Sequence, residues 1–89
     1  MNLNRILADL ETATEDQDAE MVDYYTDMLE NQQQANEAAA LATFKAEILP
    51  SIPPHDKIMQ REAYNNYIDM LDKDGLFTGN YLHTLVNPF

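Results

Sequence analysis

Five carboxylates, Asp16, Glu20, Asp23, Asp27 and Glu30, recur at spacings of four, three, four and three. On an α-helix that rhythm makes one straight stripe, with neighbours ~5–6 Å apart. Asp9 and Glu11 extend it toward the N-terminus. Ordinary solvated faces interleave both signs. Here no Lys or Arg occurs between Arg5 and Lys45. Like charges at these spacings destabilise an isolated helix by a few tenths of a kcal/mol per pair. The chemistry such a row can perform is electrostatic. It presents a rigid anionic edge that can fill a basic channel built for a phosphate backbone. The plainer reading is a face that keeps the chain soluble. Tyr24 lies beside the stripe and offers a ring with a polar tip, a residue type favoured at interface centres.

Other chemistry finds no residues to carry it. The chain has no cysteine and one serine, Ser51, with no phosphate-cradling glycine loop and no nucleophile–base pattern. A non-enzyme is therefore expected, with no catalytic residue and no cofactor. His55 and His83 stand alone, outside any ligand pair at helical spacing, so no metal site is expected. Asp72-Lys73-Asp74-Gly75 matches the middle of a calcium loop only superficially. With Gly75 in the glycine place, Met70 and Tyr81 fall where an acidic first and last ligand are required. Gly75 reads instead as the end of a helix.

These residues must be held by helices. Leu3, Ile6, Leu7 and Leu10 form one face of a short first helix, with Asn2 as its cap. Thr14-Glu15-Asp16-Gln17 has the form of a capping box, so a break at 12–14 and a new helix from Glu15 are expected. No Gly or Pro follows until Pro50, enough chain for one helix about 50 Å long. Its early half is two-faced, with Met21, Val22, Tyr25, Met28 and Leu29 opposite the acids. In its later half, Ala35, Ala39, Ala42 and Ala46 make a flat seam, while Leu41, Phe44 and Ile48 lie on nearly the other side. A helix apolar on both sides needs cover on both. That cover is either the C-terminal helices or a second copy seated on Ala39, Leu41, Ala42, Phe44 and Ile48. Residues 50–55 form a Pro-rich corner. A third helix from about Asp56 would face Met59, Ala63, Tyr67 and Met70 inward, flanked by Tyr64 and Leu71. Thr78 would cap a last helix carrying Tyr81, Leu82, Leu85 and Val86.

The expected fold is all-α: a small bundle of about four helices in a single domain over 1–89. It comprises acidic N-terminal helices (1–49), the corner (50–55) and a C-terminal helical hairpin (56–89). With 89 residues, it has a thin core that self-association would help. Sixteen acids against five bases give a net charge of −11. Nine of those acids and one base fall in residues 1–30. Such a chain repels nucleic acid and anionic lipid and attracts basic protein surfaces. No apolar run is long enough to span a membrane and no signal peptide is read at residues 1–10, so a cytoplasmic location is expected.

In size, charge and helical acidity the chain resembles the small DNA-mimic and anti-defence proteins of phages and mobile elements, the anti-restriction and anti-CRISPR inhibitors. The resemblance rests on composition and on the stripe Asp16/Glu20/Asp23/Asp27/Glu30, about a third of the chain, and transfers no residue role. It implies an inhibitor that blocks the nucleic-acid-binding surface of a basic protein. Asp9, Glu11, Asp16, Glu20, Asp23, Tyr24, Asp27 and Glu30 are then the contact residues. Two other classes stay open. One is a helical assembly or chaperone-like protein using the alanine seam. The other is a regulator that binds a transcription or replication protein through an apolar helix face.

Overall fold

The computed structural model describes residues 2–89. Its elements, in chain order, are helices α1 (Asn4–Glu15) and α2 (Ala19–Thr43), a π-helical turn (Phe44–Ile48) and a 3-10 turn (Leu49–Ser51), then α3 (Lys57–Lys73) and α4 (Gly79–Leu82). No strand occurs among the described residues. The all-α architecture expected from the periodicity is the one observed.

α1 begins where Asn2 Oδ1 accepts the Asn4 N–H at 2.7 Å. Leu3 holds the formal cap position, without a side-chain bond of its own. The expected capping box at Thr14 does not form. Thr14 Oγ1 donates backward to the Leu10 carbonyl at 2.8 Å, so the helix runs through it. The break falls three residues later. Gln17 takes a left-handed conformation (φ 55°), and Asp18 caps α2 by accepting the Met21 N–H at 3.3 Å. α1 then folds back along α2 as a helical hairpin.

α2 is continuous through residues 31–34. Its inward residues are Val22, Tyr25, Leu29, Gln33, Asn36, Ala40 and Phe44, all buried or half-buried. Their spacing of three, four, four, twice over, averages close to the 3.6 residues of a straight helical turn. One side thus suffices for the whole helix, and the seam Ala35, Ala39, Ala42, Ala46 is exposed instead of covered. The apparent second apolar side has a simple cause. Gln33 and Asn36 are polar yet buried, so they hide the continuity of the inward face. Pro50 does not end the helix abruptly. Lacking an N–H and crowding the carbonyl four residues back, it widens the last turn, and Leu49 N–H donates to the Phe44 carbonyl in π fashion.

α3 starts at Asp56, whose carboxylate accepts the Met59 N–H at 2.9 Å. Its buried face is Gln60, Tyr64 and Ile68, turned from the expected one. Met59 and Met70 are 47% and 52% exposed. Gln60 is drawn in because its amide donates to the Pro53 and Pro54 carbonyls at 3.4 and 3.2 Å, satisfying the corner's backbone. The helix ends as expected at Gly75 (φ 80°). Leu76 N–H donates to Leu71 O and Gly75 N–H to Asp72 O, the paired bonds of a Schellman cap. Thr78 does cap α4, but the helix stops after one turn and leaves Val86 80% exposed. The expected C-terminal helical hairpin is thus the long α3 followed by the single-turn α4, after which residues 85–89 have no regular secondary structure. Asn87 ties that tail back, donating to the Arg61 carbonyl and to Asn65 Oδ1.

The core sits at the C-terminal half. Phe44 has no exposed surface, and its ring meets Tyr64 edge-on at 5.2 Å and Phe89 at 5.1 Å. Leu41 and Ile48 pack against the same cluster. The self-association seam expected from Ala39, Leu41, Ala42, Phe44 and Ile48 is thereby split. Phe44, Leu41 and Ile48 belong to the chain's own core, and only Ala39 and Ala42 stay exposed. The molecule measures 53 × 19 × 17 Å. α2 is its spine, with α1 along one half and α3 with the tail along the other. The two meet where Leu3 N–H donates to Gly75 O at 2.8 Å and the Asn2 amide donates to Asp74 O at 3.1 Å.

Candidate acidic interface

Glu20, Asp23, Asp27 and Glu30 are all exposed on α2, along one flank of the spine. Ten residues at ~1.5 Å each spread them over about 15 Å. That is one carboxylate per ~5 Å of axis, against one phosphate per ~3.4 Å for a DNA strand. Asp16 does not belong to this row. It is the C-cap of α1, and the three-residue turn places it on the hairpin tip with Asp18.

A second carboxylate group forms at that tip. Asp9, half-buried on α1, lines a cleft of about 200 Å³ together with Asp16 and Asp18, over a floor containing Met21 and Tyr25. Glu11 and Glu15 are exposed on α1. Asp18 was absent from the residues singled out by spacing. Its signal was that of a cap, since an Asp directly before a helix can be read as an N-terminus.

Neutralising partners are missing from this end. Among the described residues the one ion pair within 4 Å joins Lys73 and Asp69 at 3.8 Å, on the exposed side of α3. The carboxylates of residues 9–30 make no ion pair with any described residue. Arg5 stands at the start of α1, beside the joint with α3, and every other Lys or Arg belongs to residues 45–73. The uneven charge of the sequence has thus become a physical end of a rod.

Tyr24 is 55% exposed, with its ring edge-on to Tyr25 at 5.2 Å. Tyr25 is half-buried against α1, so the pair braces the ring that faces solvent. His55 and His83 are exposed on separate segments. Among the described residues no group of three or more His, Asp or Glu is arranged to hold a metal ion, and no helix is long and apolar enough to cross a membrane.

The strongest polar geometry of the molecule lies elsewhere, at the joint between α2 and the segment from Leu76 to Tyr81. Gln33 Oε1 accepts both the Thr78 N–H at 2.6 Å and the Thr78 hydroxyl at 3.0 Å. The Asn36 amide donates to the Leu76 carbonyl at 2.9 Å, and Tyr81 O–H donates to Glu37 Oε1 at 2.6 Å. Burial, reinforced by the Glu37 bond and charge, pushes the Tyr81 phenol up to about 12. Burial first, and then the charge of Glu37, raises Tyr64 as well. These groups tie α2 to the segment that follows α3. Fold and surface together define an all-α rod with one unneutralised anionic end. No family model, curated protein or solved structure gives a significant match to the chain.

Proposed function

We propose that the protein is a non-catalytic inhibitor whose anionic end occupies the nucleic-acid-binding surface of a basic protein in the cytoplasm, in the manner of DNA-mimic anti-defence proteins such as anti-CRISPR or anti-restriction factors. The observation that carries this reading is the row Glu20, Asp23, Asp27 and Glu30. It lies on an uninterrupted helix, exposed, and without an ion-pair partner among the described residues. A stripe kept only for solubility gains nothing from excluding lysine, since mixed signs solubilise equally well and lower the repulsion. Asp9, Glu11 and Asp16 broaden the charged end, and Tyr24 adds an apolar contact beside it.

The test is a tagged pull-down from bacterial lysate at low salt, eluted with a salt gradient and challenged with duplex DNA. Nucleic-acid-binding proteins should elute at moderate salt and be displaced by the DNA. The triple variant Glu20→Lys, Asp23→Lys, Asp27→Lys should capture none of them while its circular dichroism stays helical. A partner that ignores salt and DNA, or one the triple variant still captures, would overturn the reading.

A further inference from the structure

We propose that the outer face of α2, opposite α1 and α3, seats a second copy of the chain in antiparallel orientation. The inward face of α2 follows an eleven-residue rhythm. The outer face follows a seven-residue one: Tyr24, Met28 and Asn31, then Ala35, Ala38 and Ala42, at alternating steps of four and three. All are exposed except Met28, which is half-buried. A sustained four-three alternation is the rhythm by which one helix seats another.

Size selects the orientation. The first three residues of this run are large and the last three are alanine. When the two copies run antiparallel about residue 33, each large residue meets a small one. Tyr24 faces the second copy's Ala42, Met28 its Ala38 and Asn31 its Ala35, and each contact occurs twice by symmetry. Tyr24, Met28 and Asn31, with Asp27 and Gln32 at its sides, already line an open depression of about 390 Å³ on this face. A parallel pair would stack Tyr24 on Tyr24 and leave the alanines facing a gap.

Charge selects the same orientation. A parallel pair sets two rows of Glu20, Asp23, Asp27 and Glu30 side by side, with repulsion along their whole length. The antiparallel register carries each row away from the other and brings up a cation. Lys45, the one Lys or Arg between Arg5 and Lys57, comes level with Met21 of the other copy, within a turn of its Glu20 and Asp23. From Asn31 to Thr43 the one charged residue is Glu37, already engaged by Tyr81. The middle of the contact is therefore free of charge.

The matched stretch is short. Tyr24 to Ala42 spans ~27 Å of a helix ~10–12 Å wide, below the ~800 Å² per partner of a standard stable interface. The pair should therefore dissociate on dilution. It shares Tyr24, Glu20 and Asp23 with the proposed inhibitor surface, but its test uses the purified protein alone, so its failure is read separately from that of the inhibitor role.

That test exploits the absence of cysteine in the chain. Equimolar Asn31→Cys and Ala35→Cys proteins are mixed and oxidised at ~10 µM to ~1 mM. Disulfide-linked mixed dimers should exceed both like-with-like dimers at least ~10-fold, because this register apposes residue 31 with residue 35. Adding Ala38→Glu to both proteins should erase the excess while circular dichroism stays unchanged, since Ala38 is exposed in the single chain. Predominance of like-with-like dimers, or a statistical mixture, would overturn the proposal. So would persistence of the mixed dimer with Ala38→Glu.

Discussion

Gln33 and Asn36 are the residues that fasten α2 to the segment following α3. Both are polar, both are buried, and both hydrogen-bond to the Leu76–Thr78 backbone, Asn36 also accepting from the Gln32 amide. Gln33 also orients the Thr78 hydroxyl, which in turn accepts the Tyr81 N–H and starts α4. A Gln33→Leu variant keeps the volume but strands the Thr78 N–H. Chemical denaturation should show a loss of about 1–3 kcal/mol. Tyr81 gives a pH signature. Its folded value, about 12, lies above the ordinary 10. The neutral phenol is therefore favoured by folding, so its contribution is complete below pH ~10 and disappears as pH rises through ~12. The melting temperature should fall across that window. Tyrosinate absorbance should show Tyr64 and Tyr81, two of the five tyrosines, ionising late. Tyr81→Phe should remove one late phenol and cost about 1 kcal/mol at neutral pH.

At the scale of elements, two places decide how the helices meet. The first is the end of the inward face of α2, where Phe44, the first residue of the π turn, sits at the centre of the aromatic cluster. Phe44→Ala should cost ~3–5 kcal/mol, a large share of the 5–15 kcal/mol that a small domain has in total. Thermal melting should show an unstable or largely unfolded protein. The second is Gly75. A Cβ there would lie 3.1 Å from the Asn2 amide nitrogen, on a backbone with φ 80°. Gly75→Ala should lose about 1–2 kcal/mol from the left-handed conformation. It should also loosen the Asn2 bond to Asp74. Faster amide hydrogen exchange at the start of α1 would report that second effect. Gly75 was legible in the sequence because a Schellman cap is a local motif. The break before α2 was misplaced because two local motifs competed. Thr14 and Asp18 both resemble caps, and the bond from Thr14 back to Leu10 settled the choice.

For the whole molecule the governing quantity is the placement of charge along a 53 Å rod. The acidic end has no internal cations to relieve it, so screening should stabilise the fold. A rise of roughly 5 °C in melting temperature between low salt and ~0.5 M sodium chloride is expected, the equivalent of about 1 kcal/mol. The Glu20, Asp23, Asp27 triple Lys variant should show a smaller rise, since it removes much of the repulsion being screened. Equal salt responses would locate the repulsion elsewhere in the chain.

The helical class, the acidic stripe from Glu20 to Glu30, the start of α3 near Asp56 and the caps at Gly75 and Thr78 all follow from sequence alone. Each depends on residues within one or two turns of each other, where helical spacing and side-chain chemistry suffice. The side of α2 that faces inward, the rotation of α3 that buries Gln60 and exposes Met59 and Met70, and the early end of α4 were decided only in three dimensions. Their causes are distant in sequence. The carbonyls of Leu76, Pro53 and Pro54 needed donors, and Thr78 needed an acceptor. Buried amides met those needs at positions where hydrophobicity alone would have placed methionine or leucine.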